Sequence, residues 1–199
     1  DLEPAKWLTT AIDHDHAVAA SPLINTCVRT DQLTDTIVGR LLADPEGRHR
    51  VIGAVLGLSS NVALVQRVID QLALDDIQQL ESEFVLMGAS EETRHALFTH
   101  PNKEIRGTAA ALWAAEWAYD DHPRPEDPDW LNAMRFYTVP ETRGHDYIHA
   151  LALNALAKTS PDVFIELFAK QGLTRMRGSY TDFSNWKGAI QLLTFAERD

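Results

Sequence analysis

The sequence has little that usually announces an activity. Its 199 residues include one cysteine, Cys27, so an intrachain disulfide is excluded. Cys27 stands among Leu23, Ile24 and Val28 and reads as a small core hydrophobe rather than a reactive thiol. No apolar run reaches the roughly 20 residues that a membrane span needs. There is no P-loop, no G-x-G-x-x-G after a strand, no G-x-S-x-G and no paired C-x-x-C. The commonest nucleotide-binding, serine-hydrolase and zinc-ribbon chemistries therefore lack their signatures. Strand alternation and the Asn-Gly and Asp-Gly hairpin signals are missing too. Basic residues are scarce: 18 Lys and Arg against 29 Asp and Glu give a formal net charge of -11. That balance counts against a whole-surface nucleic-acid binder, which must neutralise phosphates. It suits a partner with a positive or neutral surface.

What is present is helical. Ser21-Pro22, Asp44-Pro45, Asp127-Pro128 and Ser160-Pro161 each place a capping side chain before a Pro suited to a first helical position. Thr138 with Glu141 fits a capping box, Ser90 precedes the acidic Glu91-Glu92, and Asn102 precedes the segment from Lys103. Between these signals the apolar residues recur at i, i+3, i+4, i+7. The stripes are Val62, Val65, Val68/Ile69, Leu72; then Ile77, Leu80, Phe84, Met87; then Ile105, Ala109, Leu112/Trp113, Trp117; and Ile148, Leu151/Ala152, Ala155/Leu156. The pattern predicts an all-α chain of roughly ten helices, with boundaries uncertain by about three residues. Two segments break it. Residues 119–129 carry three prolines and five acids, and 171–184 place Arg175 and Arg177 beside glycines. Both are expected to be loops.

The helices fall into pairs. Residues 50–58 lead through Ser59-Ser60-Asn61 into 62–69, and 147–156 lead through Thr159-Ser160-Pro161 into 163–168. The segment HPNKEIRGTAAALW at 100–113 resembles the HEAT repeat: a Pro-containing turn, then a helix with an Arg and a run of Ala and Leu. DPEGRHRVIGAVLGL at 44–58 and TRGHDYIHALALNAL at 142–156 are looser copies. The resemblance covers about 44–171 and implies a stack of antiparallel helix pairs, an α-solenoid. A compact helical bundle with alanine-rich interfaces is the alternative. Residues 1–199 are expected to form a single helical domain. The chain opens at Asp1 without a Met, so it is read as a piece of a longer polypeptide. Its first ten residues lack the pattern of a signal peptide, and a cytoplasmic setting is expected.

Three functional readings follow. The first is a non-enzymatic interaction or regulatory module, needing no cofactor and using a protein partner. Its candidate contact residues are Trp113 and Trp117, four apart on one helix face. The five tryptophans are otherwise expected mostly in the core. The second is a metal-dependent hydrolase built on His145, Asp146 and His149. Two His four apart share a helix face and can grip one metal. The spacing resembles the H-E-x-x-H of zinc peptidases, with a shorter Asp146 at the Glu position. The His-Asp pair is also similar to that of HD-type phosphohydrolases. His95, His100, Asp162 and Glu166 are the available further ligands. The third is nucleic-acid binding through Arg175, Arg177 and Lys187, with Tyr180 and Trp186 to stack on bases. Asp13-His14-Asp15-His16 has alternate spacing, which does not converge on a helix, and is read as a solvated helix end.

Overall fold

The computed structural model describes residues 3–14, 20–80, 85–119, 128–138 and 146–171, excluding the side chains of 118, 119, 146–148, 150, 168 and 171. Among the described residues there are eleven α-helices and no strand. The chain divides into two compact units, Asp1–Ala96 and Leu97–Asp199.

In the first unit, α1 (Pro4–Asp13), α2 (Ser21–Arg29), α3 (Asp35–Ala43), α4 (Pro45–Leu58), α5 (Val62–Ile69) and α6 (Leu74–Gln79) precede a single 3-10 turn at Leu86–Gly88. Asp44 starts α4 as expected, its carboxylate accepting the Gly47 N–H at 2.8 Å. Six consecutive residues of α4, Val51 to Leu56, are buried, so this helix is covered nearly all round. Its neighbours are α2, α3, α5, α6 and the 3-10 turn. Leu8, Ile24, Cys27, Val38, Leu41, Val65 and Val68 supply much of the surrounding core. Cys27 is fully buried, and burial pushes its thiol up from the ordinary range.

Helix ends explain several boundaries. Thr34 caps α3 and Asn61 caps α5. After α2 the chain turns at Asp31, whose φ is 53°. Gln32 N–H returns to Cys27 O at 2.8 Å and Asp31 N–H to Val28 O at 3.2 Å, which closes the helix as a Schellman motif. Ser21 is not the cap the Ser-Pro pair predicts. A helical Ala20 precedes it, and the Ser21 hydroxyl instead accepts from Arg50 Nη1 at 2.6 Å. The 76–87 stripe is not one helix either. Helix α6 ends at Gln79, and in the 3-10 turn Leu86 is buried and Met87 36% exposed, while Phe84 of the stripe lies outside the described residues. That turn lies on α4 through glycines: a Cβ on Gly88 would stand 2.8 Å from Gly57 O.

An ion pair between half-buried Arg48 and buried Asp76 joins α4 to α6 in the first unit. Arg48 Nε and Nη2 donate to Asp76 Oδ1 and Oδ2 at 2.6 and 2.7 Å. The same guanidinium reaches Leu42 O and Gln71 O, and Ala73 N–H donates to Asp76 Oδ2 at 2.7 Å. Burial pushes the Asp76 carboxyl up, but its hydrogen bonds from Arg48 and Ala73 and the Arg48 charge outweigh that, and the net shift is downward.

The second unit holds α8 (Lys103–Tyr119), α9 (Pro128–Met134), α10 (Asp146–Thr159) and α11 (Pro161–Gln171). The division from the first unit falls within α7 (Glu91–Phe98). Asn102 begins α8 as expected, with its Oδ1 accepting Glu104 N–H at 2.9 Å. Helix α8 packs on α9 and α10, and α10 on α11. Ala109, Ala110, Ala111, Ala114 and Ala115 are all buried, which lets helix axes approach closely. Gly107 goes further. A Cβ there would meet Phe136 C and Tyr137 N at 2.5 Å, so α8 lies directly on the backbone that follows α9. No helix among the described residues is long and apolar enough to cross a membrane.

Candidate functional site

The second unit carries a stripe of residues along α8 that is accessible toward its two ends and buried in its middle, at Ala110. Lys103, Arg106, Ala110, Trp113 and Trp117 recur at i, i+3, i+7, i+10 and i+14 and so form one stripe. Helix α9 and residues 135–137 run beside it. Trp130 is buried, and its Nε1 donates to Ala110 O at 3.0 Å. This hydrogen bond fixes the middle of the stripe. Toward the C-terminal end of α8, the Trp113 ring lies 5.5 Å from Phe98 and 6.0 Å from Trp130, edge-on to the latter. Such tilted pairs hold a ring rigidly. Trp113 and Trp117 are half-buried, so neither is a pure core residue.

At the other end the chemistry is cationic. Arg106 Cζ lies 4.6 Å from the Phe136 ring centroid and Lys103 Nζ lies 5.4 Å from it. Both cations sit against a half-buried ring, at cation–π range. Among the described residues, Arg106 Nε is buried without a hydrogen-bond partner. The adjacent Arg135 is engaged by Glu166 of α11.

The proposed metal site is differently placed. His149 is buried on α10, 6% exposed, and its Nδ1 shares a short hydrogen bond with the Tyr137 hydroxyl. The two rings also stack at a tilt, with centroids 5.8 Å apart. His145 lies outside the described residues, as does the side chain of Asp146, the first residue of α10. Of the further ligand candidates, Glu166 is paired with Arg135, and His100 Nδ1 accepts the Asn102 N–H at 3.1 Å. Among the described residues no group of three or more His, Cys, Asp or Glu could hold a metal ion. Arg175, Arg177, Lys187, Tyr180 and Trp186 lie outside the described residues. So do Asp15 and His16, while Asp13 pairs with Arg40 at 2.6 Å and His14 bonds Thr10 O.

The first unit contributes a cleft of about 410 Å3 between α2 and α4, walled by Ser21, Asn25, His49 and Arg50 and floored by Gly53 and Gly57. The Arg50–Ser21 hydrogen bond crosses it. Trp7 on α1 is 60% exposed, against the expectation that tryptophans would mostly lie in the core. It stands on the outer side of a short terminal helix, whose buried residue is Leu8.

No signal in the sequence marked Phe136 or Arg106 as functional. Their pairing is a consequence of the Gly107 contact, which brings the 136–137 backbone onto α8. No protein-family model, curated protein or solved structure matches this chain.

Proposed function

We propose that this chain is a non-enzymatic interaction module, a HEAT-like stack of helix pairs that presents the α8 stripe to a cytoplasmic protein partner. The observation that carries this reading is the half-buried pair Trp113 and Trp117, four residues apart on α8, with the Trp113 ring packed against Phe98 and Trp130. Aromatic rings anchored in this way lose little entropy on binding and dominate interface energetics. The helix pairs support the repeat component: α4 packs on α5, and α10 on α11, each across a short connection. The Pro+5 arginines of the two best repeat copies, Arg50 and Arg106, both serve as contacts between segments, one to Ser21 and the other to Phe136.

The test is a quantitative pull-down from the source cell, comparing the wild type with a Trp113→Ser/Trp117→Ser variant of matched helical content. The expected outcome is a protein retained near stoichiometrically by the wild type and lost by the variant. The same proteins retained equally by both would remove this face as the contact surface.

A further inference from the structure

We propose that the cleft between α2 and α4 binds a small organic monocarboxylate, with the carboxylate beside Ser21, Asn25 and His49 and the apolar body toward Leu58 and Val85. This site lies within the first unit and is independent of the α8 stripe. Packing leaves a groove open here. On α4, His49, Gly53 and Gly57 form one row at four-residue spacing, and Arg50, Ala54 and Leu58 form the next. A groove between two such rows is ordinarily filled by an apolar side chain of the facing helix. Helix α2 packs on α4, yet its residues along this groove are Ser21 and Asn25, again four apart and both polar. Beyond His49 the first row carries no side chain at all. A cleft of about 410 Å3 therefore remains, within the roughly 300–1,000 Å3 of small-molecule sites.

The two ends of the cleft differ in chemistry. One end holds hydrogen-bond donors. Arg50 Nη1 donates to Ser21 Oγ at 2.6 Å, and the Ser21 hydroxyl keeps its own hydrogen to donate onward. A hydroxyl that accepts from a cation is polarised into a better donor. The Asn25 amide and the His49 ring make no hydrogen bond among the described residues. The imidazole carries at least one N–H in either protonation state. The other end is apolar. Leu58 is 36% exposed there. Val85 closes the groove over Gly57, where an added Cβ would stand 2.9 Å from Val85 O and 3.1 Å from its Cγ1. From Arg50 to Leu58 is eight residues of helix, about 12 Å.

Charge selects among ligands. The chain has 29 acids against 18 bases, yet the described residues lining this cleft include Arg50 and His49 and no Asp or Glu. Glu46, one turn before Arg50, is exposed and does not line it. An amine or a zwitterionic amino acid finds no counter-charge there. Inorganic phosphate leaves the apolar end unused. A monocarboxylate with a short apolar body matches both ends.

The experiment follows the Gly53 and Gly57 amides in two-dimensional NMR spectra of the full chain at neutral pH. The probes are hexanoate, its neutral amide, hexylamine and inorganic phosphate. Hexanoate should shift both amides saturably, with half-saturation at about 1 mM or below, and the other three should not saturate. Arg50→Gln removes the charge behind Ser21 and should weaken hexanoate about tenfold. Asn25→Ala alters an exposed side chain without a hydrogen bond among the described residues, so it tests the polar end even where Arg50→Gln fails to fold; it should weaken hexanoate about threefold. Thermal melts check the fold of each variant. Unshifted glycine amides would overturn the site. So would hexylamine or the neutral amide binding as tightly as hexanoate, or folded variants that bind hexanoate like the wild type. Phosphate saturating the same amides as tightly as hexanoate would overturn the monocarboxylate assignment. None of these outcomes bears on Trp113 and Trp117, which lie in the second unit.

Discussion

At the scale of single residues, Asp76 shows how one side chain can join several segments. It takes two bonds from Arg48 and one from the Ala73 backbone, and its side chain is only 7% exposed. Replacing it by Asn removes the charge but keeps the shape. The Asp76→Asn variant should lose about 2–3 kcal/mol of stability at neutral pH, since it leaves Arg48 half-buried without its counter-ion. Because the folded carboxyl is held below its ordinary range, the pair contributes fully above the ordinary carboxylate range. The contribution is lost as pH falls through the depressed folded value. Urea unfolding at a series of acid pH values should show this loss in the wild type and a flatter profile in Asp76→Asn. Little of this was legible in the sequence. Arg48 and Asp76 lie on different helices, and no local rule pairs residues 28 apart. Asp44 was legible, because its cap bond goes to Gly47, three residues away. Ser21 carries the same local signal as Asp44, but a tertiary hydrogen bond from Arg50 takes its hydroxyl.

At the scale of elements, α8 shows why a hydrophobic stripe is an incomplete guide. The spacing of Ile105, Ala109 and Leu112 identifies the helix and one buried face. Yet Ala110, Ala111, Ala114 and Ala115 are buried as well, because α9 and α10 cover other sides of it. The side-by-side placement of α8 and the 136–137 backbone depends on Gly107. A Gly107→Ala substitution improves intrinsic helix propensity, by about 1 kcal/mol in an open helix. Here the added methyl meets backbone, so the net effect should be destabilisation of about 1–3 kcal/mol. Thermal unfolding checks the sign: a higher midpoint would mean that α8 does not lie on residues 136–137. The 76–87 stripe failed for a related reason. Apolar residues at helical spacing are compatible with a short helix and a 3-10 turn when a glycine contact, Gly57 against Gly88, fixes the chain path.

At the scale of the whole molecule, the metal-site reading has a direct measurement. His149 is buried and engaged by Tyr137, which is the behaviour of a core histidine. Elemental analysis of the purified chain, with the His145→Ala/His149→Ala variant beside it, should give no stoichiometric metal in either. His149→Ala should still lower the unfolding midpoint, since it leaves a cavity and removes the hydrogen bond between His149 and the Tyr137 hydroxyl. Stoichiometric metal lost by the double variant would instead establish a metal centre on α10.

The sequence by itself determined that the described residues are helical without a strand, where most of those helices begin, and that Cys27 is a core residue. These follow from bonds and periodicities that reach no further than one or two helical turns. Only the tertiary structure decided that Arg48 finds Asp76, that His149 finds Tyr137, and that Lys103 and Arg106 share the Phe136 ring. Those contacts join residues 28, 12 and about 30 positions apart. For Phe136 and Tyr137 the reason is the close backbone approach at Gly107, and no local pattern in the chain encodes which surfaces will meet.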